Sequence, residues 1–545
     1  MRARLIATGI ALLLGAGLRT YHLQWGLADR MWFPDEGFWG MRIDPRTPTS
    51  VSQLPEVCLV YPTLYEYATQ AVHAATTGSG VFTSPDGTIV VRDAETEVND
   101  PPFVSVIAAA RTVSTIAGVL GIAAIAIAGT CLYGATTGVL AAFLLATSPF
   151  DILQTHVASV DALLAALGTC VLLCSWHLAR RGTVVAALLA GIVVGLGFAT
   201  KYTGLAFICP AAWAVIEASR SRARLRTLTR LGTALALGTI VGAVVGCPRC
   251  ALQPGTVRDI LLWHQSLAAD PPFDGNRLAD SVGWYARHWL YQLVAALPYV
   301  LGLPTYLLAL VGIVRAAWRR GLGDRLVLAL LLPYFLVIGA ATATFPRHLL
   351  VLVPGLVLLA GAAMARLPSR GLRWTVIVIT VGYSFALSAT HVARIGWYQQ
   401  DETARAIAAR VTMSNGVAGA RVAFPDYGPY FRLHQPFRQA GLAPEPREAG
   451  TWFTHPAPFF VVPAWYATVL RRDEREPVLL RDLDALETGR TDYRVLHRIA
   501  VPWYLQQPLD AWLDPALAVD LWQGAIGFTI YERQTPPLDP SHPAP

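Results

Sequence analysis

Long apolar runs alternate with short polar joints over the first 391 residues, and there the pattern stops. A helix rises about 1.5 Å per residue, so runs near 20 residues reach across the ~30 Å hydrocarbon layer of a bilayer. The pattern therefore predicts membrane-spanning helices. About eleven are expected, near 5–20, 103–130, 136–150, 160–178, 183–199, 203–217, 231–247, 292–314, 326–343, 349–365 and 374–391. The segments 136–150 and 203–217 are the shortest. The first run, Leu5 to Leu18, follows Arg2 and Arg4 as a secretory leader would. Arg19, Tyr21, His22 and Trp25 then stand where small residues would mark a cleavage site, so an uncleaved anchor is expected.

Arginine placement orients the spans. One set of joints carries Arg2 and Arg4; Arg180 and Arg181; Arg220, Arg222, Arg224, Arg226 and Arg230; Arg315, Arg319, Arg320 and Arg325; Arg366, Arg370 and Arg373. The alternate joints, around 151–159, 198–203 and 344–348, carry almost none. Positive charge is retained on the cytoplasmic side, so the N-terminus is expected inside and the tail after 391 outside. The outer face then holds 21–102, three short loops, 248–291 and the tail.

The polar regions have their own patterns. Within 21–102, the stretch Val57–Ala75 contains Tyr61-Pro62-Thr63-Leu64-Tyr65 and reads as surface helix with aromatic anchors. Residues 79–100, with Ser84-Pro85-Asp86-Gly87, read as a turn between short strands or an insert. Loop 248–291, with Trp263, His264, Trp284 and His288, reads as a surface helix and a lid. In the tail, Arg421–Phe424, Phe459–Pro463, Tyr493–Val501 and Phe528–Glu532 read as strands, and Asp401–Val411 as a helix. The expected architecture is a polytopic α-helical membrane domain, 1–391, followed by an extracytoplasmic α/β domain, 392–545.

Composition adds little to this, and charge must be read through it. The net charge of +7 comes from arginines spread over inner joints, which topology alone explains, so no nucleic-acid partner is expected. Arg-for-Lys usage and Ala-rich spans point to a bacterial chain, hence a bacterial inner (plasma) membrane. Of seven cysteines, Cys247 and Cys250 form a CxxC at the outer face, a structural or incidental pair more readily than a redox motif.

Candidate chemistry lies where charges break the membrane pattern. Asp35 and Glu36, in Phe33-Pro34-Asp35-Glu36, put two acids just past the first span. A partly desolvated carboxylate there could serve as a general base; two solvated acids at a helix start would look the same. Asp161 opens another span, close to His156. Lys201, the only lysine in the chain, sits on the outer side, as do Arg347 and His348. A compact ammonium suits a phosphate, although a snorkelling lysine has the same address. Arg111 lies about two turns into the second span, where a charge is costly. Acids at one face suit base chemistry, and cations beside them suit an anionic headgroup.

The same positions carry a resemblance. Leu18-Arg19 with Trp32-Phe33-Pro34-Asp35-Glu36, Tyr61-Pro62-Thr63-Leu64, Ala110-Arg111-Thr112, Ser148-Pro149 with His156 to Asp161, Gly195 to Thr203, and Pro346-Arg347-His348 with Pro354 occur in order. Over about 10–400, the chain resembles the multi-span glycosyltransferases of the GT-C class. That class includes protein O-mannosyltransferases and the lipid A aminoarabinose transferase.

The resemblance implies a sugar donor on a polyprenyl monophosphate, presented from the outer leaflet. It implies Asp35 as catalytic base with Glu36 beside it, and Asp161 as a second acid. It implies Lys201 and Arg347 on the lipid phosphate, with Arg111 a further candidate. His156, Tyr202, His348, Tyr61 and Tyr65 are weaker substrate-contact candidates. Val60-Tyr61 stands where relatives can present a lysine. No cofactor is certain; a divalent metal would need Asp35, Glu36, Asp161 and His156 to converge. The sugar and the acceptor (protein, lipid or cell-wall glycan) stay open. A transporter or lipid-linked sugar flippase is the alternative, but it would favour ionisable groups near the midplane and repeated halves. A membrane scaffold displaying the tail would leave Asp35, Asp161 and Lys201 without a role.

Overall fold

The computed structural model describes residues 2–24, 61–77, 101–220, 224–269, 288–339, 346–395, 399–413, 419–425, 437, 440–448, 450–464, 467, 477–500 and 527–534. In chain order the helices are α1 (Arg2–Thr20), α2 (Leu64–Thr77), α3 (Pro101–Tyr133), α4 (Ala135–Ala146), α5 (Pro149–Thr155), α6 (Val160–Arg181) and α7 (Val184–Thr200). A 3-10 turn (Tyr202–Phe207) leads into α8 (Ile208–Ala218). Then come α9 (Arg224–Gly246), α10 (Pro248–Leu252), α11 (Pro254–Ala269), α12 (His288–Tyr291) and α13 (Leu297–Leu301). The bundle ends with α14 (Leu303–Arg319), α15 (Leu322–Gly339), a 3-10 turn (Pro346–Leu352), α16 (Val353–Met364) and α17 (Arg370–Ile395).

Among the described residues, seven helices are long and apolar enough to cross a membrane. The bent pair α4–α5, which turns by 58°, would make an eighth. The chain is thus a multi-pass helical membrane protein, and among the described residues fewer full-length spans are found than the expected eleven. The difference has a local cause: α7, Tyr202–Ala218 and Trp289–Leu301 are apolar but short. The expected span 292–314 is also two helices. Gly302 separates them at φ 75°, a conformation that favours glycine, and Pro304 starts the next helix without needing an N–H partner.

Helices α7 and α9 approach unusually closely. A methyl group built on Gly195 would sit 2.2 Å from the Thr239 carbonyl oxygen, and one on Gly242 2.2 Å from that of Ile192. With Gly191 and Gly238, these form a small-xxx-small face on each helix, which lets two backbones touch where no hydrophobic effect drives association. The ends of this pair carry Lys201 and Cys247. The cysteines Cys247 and Cys250 form a disulfide across the α9–α10 elbow. Cys247 packs with Ala199 and Ile260, so the elbow lies against the end of α7.

The stretch expected as surface helix forms α2 from Leu64 onward. Its buried face, Tyr65, Glu66, Thr69 and His73, packs against α3. Loop 248–291 supplies α10 and α11; the expected lid at 270–287 and the insert 79–100 lie outside the described residues.

In the tail, α18 (Gln399–Met413) precedes strands β1 (Arg421–Pro425), β2 (Ala443–Arg447), β3 (Phe459–Pro463), β4 (Tyr493–Ile499) and β5 (Phe528–Arg533), with α19 (Pro477–Glu487) between β3 and β4. The sheet order is β2-β1-β3-β5-β4. β1 is parallel to β2 and β3, and β5 is antiparallel to β3 and β4. Four strands and α18 match the expectation. β2 and α19 were not expected; β2 carries Pro444 and Pro446, which remove ladder donors and confine it to an edge. The sheet and its helices bury a core of their own around Trp452, Phe424, Phe460 and Ile407.

Candidate functional site

The end of α7 and the start of α6 meet in one ion pair. Lys201 Nζ donates to Asp161 Oδ1 at 2.8 Å. Both residues are buried, with Asp161 2% and Lys201 9% exposed. Local chain geometry sets each partner. Ser159 caps α6, its hydroxyl accepting from the Asp161 N–H at 3.2 Å. Asp161 in the first turn also suits the positive end of the helix dipole. Lys201 closes α7 in an extended conformation (φ −154°, ψ 138°), which turns the chain into the 3-10 segment. Taking two charges out of water is expensive, so a buried pair is poor evidence of stabilisation and better evidence of a placed charge. Among the described residues, Asp161 occupies one of the three ammonium donors and no other hydrogen bond is made by the Lys201 side chain.

Other expected residues gather at this pair. The Lys201 ammonium lies 5.9 Å from the Tyr61 ring centroid. Thr63 donates to the Gly246 carbonyl at 3.0 Å, which fixes that segment to the end of α9. Arg347 and His348 are half-buried on the 3-10 turn Pro346–Leu352, which packs against α6. His348 lies within electrostatic reach of Lys201, Arg347 and His264. The ring of Tyr202 meets that of His264 at 6.0 Å and that of Phe198 at 5.5 Å. His264, on α11, is a site residue that the sequence offered only as part of a surface helix. Its signal was a histidine beside Trp263 in the loop that the CxxC anchors.

A line of hydroxyls runs from the pair to Tyr65. The Tyr65 hydroxyl donates to the Ala110 carbonyl at 2.6 Å and lies 2.8 Å from Ser114 Oγ. Ser114 Oγ accepts from the Ser159 N–H at 3.1 Å. Tyr65 is fully buried, so its described contacts tie α2 to α3.

Arg111 and His156 form a second group, next to Arg19. Arg111 is buried and donates to the Leu23 carbonyl at 3.2 Å. His156 holds Nδ1 2.8 Å from the Ile152 carbonyl and Nε2 2.8 Å from that of Tyr21. Desolvation pushes this imidazole down to about 4, outweighing the two carbonyls that raise it, while Arg19 and Arg111 add to the depression. The neutral ring carries one N–H, so only one of the two carbonyls accepts from it at a time. Arg19 pairs with Asp151 and also donates to the carbonyls of Gly15 (3.0 Å), Leu145 (2.9 Å) and Ala146 (3.1 Å). This ties α1 into the α4–α5 bend. The sequence did not single out Asp151; a carboxylate just after an apolar run was the available signal.

Asp35 and Glu36 lie outside the described residues. Among the described residues, no three His, Cys, Asp or Glu side chains gather as metal ligands would. A divalent ion would draw on Asp161, which already holds Lys201, and on the two acids before Gly37.

Comparison with known proteins follows the same outline. Residues 103–245 match the family model of dolichyl-phosphate-mannose-protein mannosyltransferases. A search of curated sequences returns no match. The Archaeoglobus fulgidus oligosaccharyltransferase, in its complex with Zn and sulfate, superposes with a TM-score of 0.52 at 11% identity, covering 97% of this chain and 88% of that one. Its apo form gives 0.50 at 11% identity, with the same coverage. ArnT from Cupriavidus metallidurans, bound to undecaprenyl phosphate, gives 0.43 at 13% identity, covering 96% and 97%. The chain thus shares the fold of multi-span membrane glycosyltransferases, and its residues 103–245 carry the sequence pattern of the mannosyltransferase family.

Proposed function

We propose that this chain is a membrane glycosyltransferase that moves a sugar from a polyprenyl-phosphate carrier to an acceptor hydroxyl at the outer face of a bacterial plasma membrane. The observation that carries the reading is the buried Asp161–Lys201 pair, with Arg347, His348 and His264 gathered at the same end of the bundle. The family match over 103–245, to enzymes named for a dolichyl-phosphate sugar donor, supports the donor class.

The chemistry follows from the leaving group. A phosphate departs without being protonated, so the protein must stabilise its developing charge and remove one proton from the acceptor. Asp35, with Glu36 as neighbour, takes that proton. The acceptor oxygen attacks the anomeric carbon from the face opposite the phosphate. The carbon–oxygen bond to phosphate breaks, its electrons pass to the phosphate, and configuration inverts through an oxocarbenium-like state. Lys201 and Arg347 hold the departing phosphate. Asp161 is a positioning residue: its carboxylate accepts from the Lys201 ammonium at 2.8 Å and holds it in place. Every residue assigned a role in this step lies within 1–391.

Asp35→Asn provides the test. The variant should bind a polyprenyl-phosphate sugar as the native protein does, while turnover falls by about 10²–10⁴-fold. Turnover equal to native would remove Asp35 as the base.

A further inference from the structure

At the end of the bundle remote from Lys201 lies a cavity of about 560 Å3. Helix α6 joins the two places: Asp161 is in its first turn and Arg180 in its last, roughly 28 Å apart at 1.5 Å per residue. That is about the thickness of the hydrocarbon layer, so the cavity opens at the opposite membrane surface. Arg180, Arg315, Arg319 and Arg366 line it, with one carboxylate, Asp324.

These four guanidinium groups come from the ends of α6 and α14 and from the turn after α16. Membrane topology accounts for arginines in the loops at this end. It does not account for four that converge on one cavity and repel one another, and Arg315 feels both Arg366 and Arg319. Elsewhere at this end Arg220 and Arg325 share one carboxylate, Glu217, at 2.9 and 2.6 Å. Among the described residues, none of the four cavity arginines makes an ion pair. Two lie over aromatic rings instead, Arg180 at 5.9 Å from the Trp176 centroid and Arg366 at 5.8 Å from that of Tyr133. Arg366 also donates one N–H to the Ala362 carbonyl at 2.9 Å. The planar groups are thereby held in place, with N–H donors left over to take an anion. Nearby Trp318 is 84% exposed at the end of α14, as an indole at headgroup depth would be.

We infer that this cavity binds a phosphate-bearing anion, supplied as the headgroup of an anionic phospholipid in the leaflet opposite Lys201. The ligand relieves the repulsion among the four arginines, and α6, α14, α15 and α16 are drawn together around it.

The test is native mass spectrometry of the full chain in neutral detergent, titrated separately with dioctanoyl phosphatidylglycerol, dioctanoyl phosphatidylcholine and glycerol 1-phosphate. The anionic lipid should bind about tenfold or more tightly than the zwitterionic one. Arg315→Gln with Arg319→Gln should abolish that preference, while Arg315→Lys with Arg319→Lys, which keeps charge, should retain most of it. Arg220→Gln, outside the cavity, should leave it intact. Glycerol 1-phosphate binding as tightly as the lipid would refute the lipid source. Equal binding of the two lipids to the native protein, or an equal loss in Arg220→Gln, would overturn the site altogether.

Discussion

Lys201→Met removes the ammonium and leaves the Asp161 carboxylate, 2% exposed, without its partner. Breaking a buried pair from one side costs about 3–5 kcal/mol, because the remaining charge stays desolvated. Asp161→Asn, which strands the ammonium instead, should cost a comparable amount. The double variant Asp161→Asn with Lys201→Met removes both charges of the pair, and the backbone N–H that reaches the Ser159 hydroxyl is untouched. It should cost less than either single variant, so the coupling should be at least about 3 kcal/mol. Reversible unfolding in mixed detergent and SDS micelles measures the three variants. Function should separate from stability: the double variant folds but cannot hold the phosphate, so transfer should stay at least about 100-fold below native. Single variants costing under about 1 kcal/mol each would mean the pair is solvated. A stable double variant with native transfer would mean Lys201 only packs.

Gly195→Leu forces side-chain atoms into a space where even a methyl meets the Thr239 carbonyl oxygen at 2.2 Å, so α7 and α9 must separate; a lowered unfolding midpoint with loss of transfer is expected, against little change for Gly232→Leu, which has open space. Cys247→Ser with Cys250→Ser opens a disulfide between residues three apart in sequence, so the chain-entropy effect is at most about 2 kcal/mol; non-reducing peptide mapping should show the bond, and the variant should unfold only slightly earlier than native. In the tail, burial raises the Glu532 carboxyl, but hydrogen bonds and charge from Arg410 and Arg494 outweigh it and hold the group below its ordinary value. Its stabilisation is therefore complete above the ordinary Glu pKa and drains as pH falls through the lowered one; hydrogen exchange on β5 of the full chain should accelerate in that range, and Glu532→Gln should flatten the dependence.

The spans were legible because a bilayer demands continuous apolar length, and that demand is written in composition. What broke the spans was less legible. Gly302 and Pro304 sit inside an unbroken apolar run, so hydropathy alone joins the two helices they separate. The α7–α9 contact depended on glycine spacing, Gly191 with Gly195 and Gly238 with Gly242, a signal that hydropathy averages away. In the sheet, the four apolar strands stood out by their β-branched and aromatic runs, whereas β2 (Ala443–Arg447) has two prolines and reads as coil. At the site, the oddity of a single lysine and of acids at helix starts marked Asp161 and Lys201 individually. Their pairing across 40 residues, and that of Arg19 with Asp151 across 132, came only from the fold. His264 was hidden for the same reason.

Phosphorus NMR of the purified chain in nanodiscs, loaded with a polyprenyl-phosphate sugar and a membrane extract as acceptor, tests the central claim most directly. The account predicts that the phosphodiester resonance of the donor converts to the monoester of free polyprenyl phosphate, with native protein and not with Asp35→Asn. A donor that keeps its phosphodiester while crossing from one leaflet to the other would contradict the account and make the chain a carrier of lipid-linked sugar.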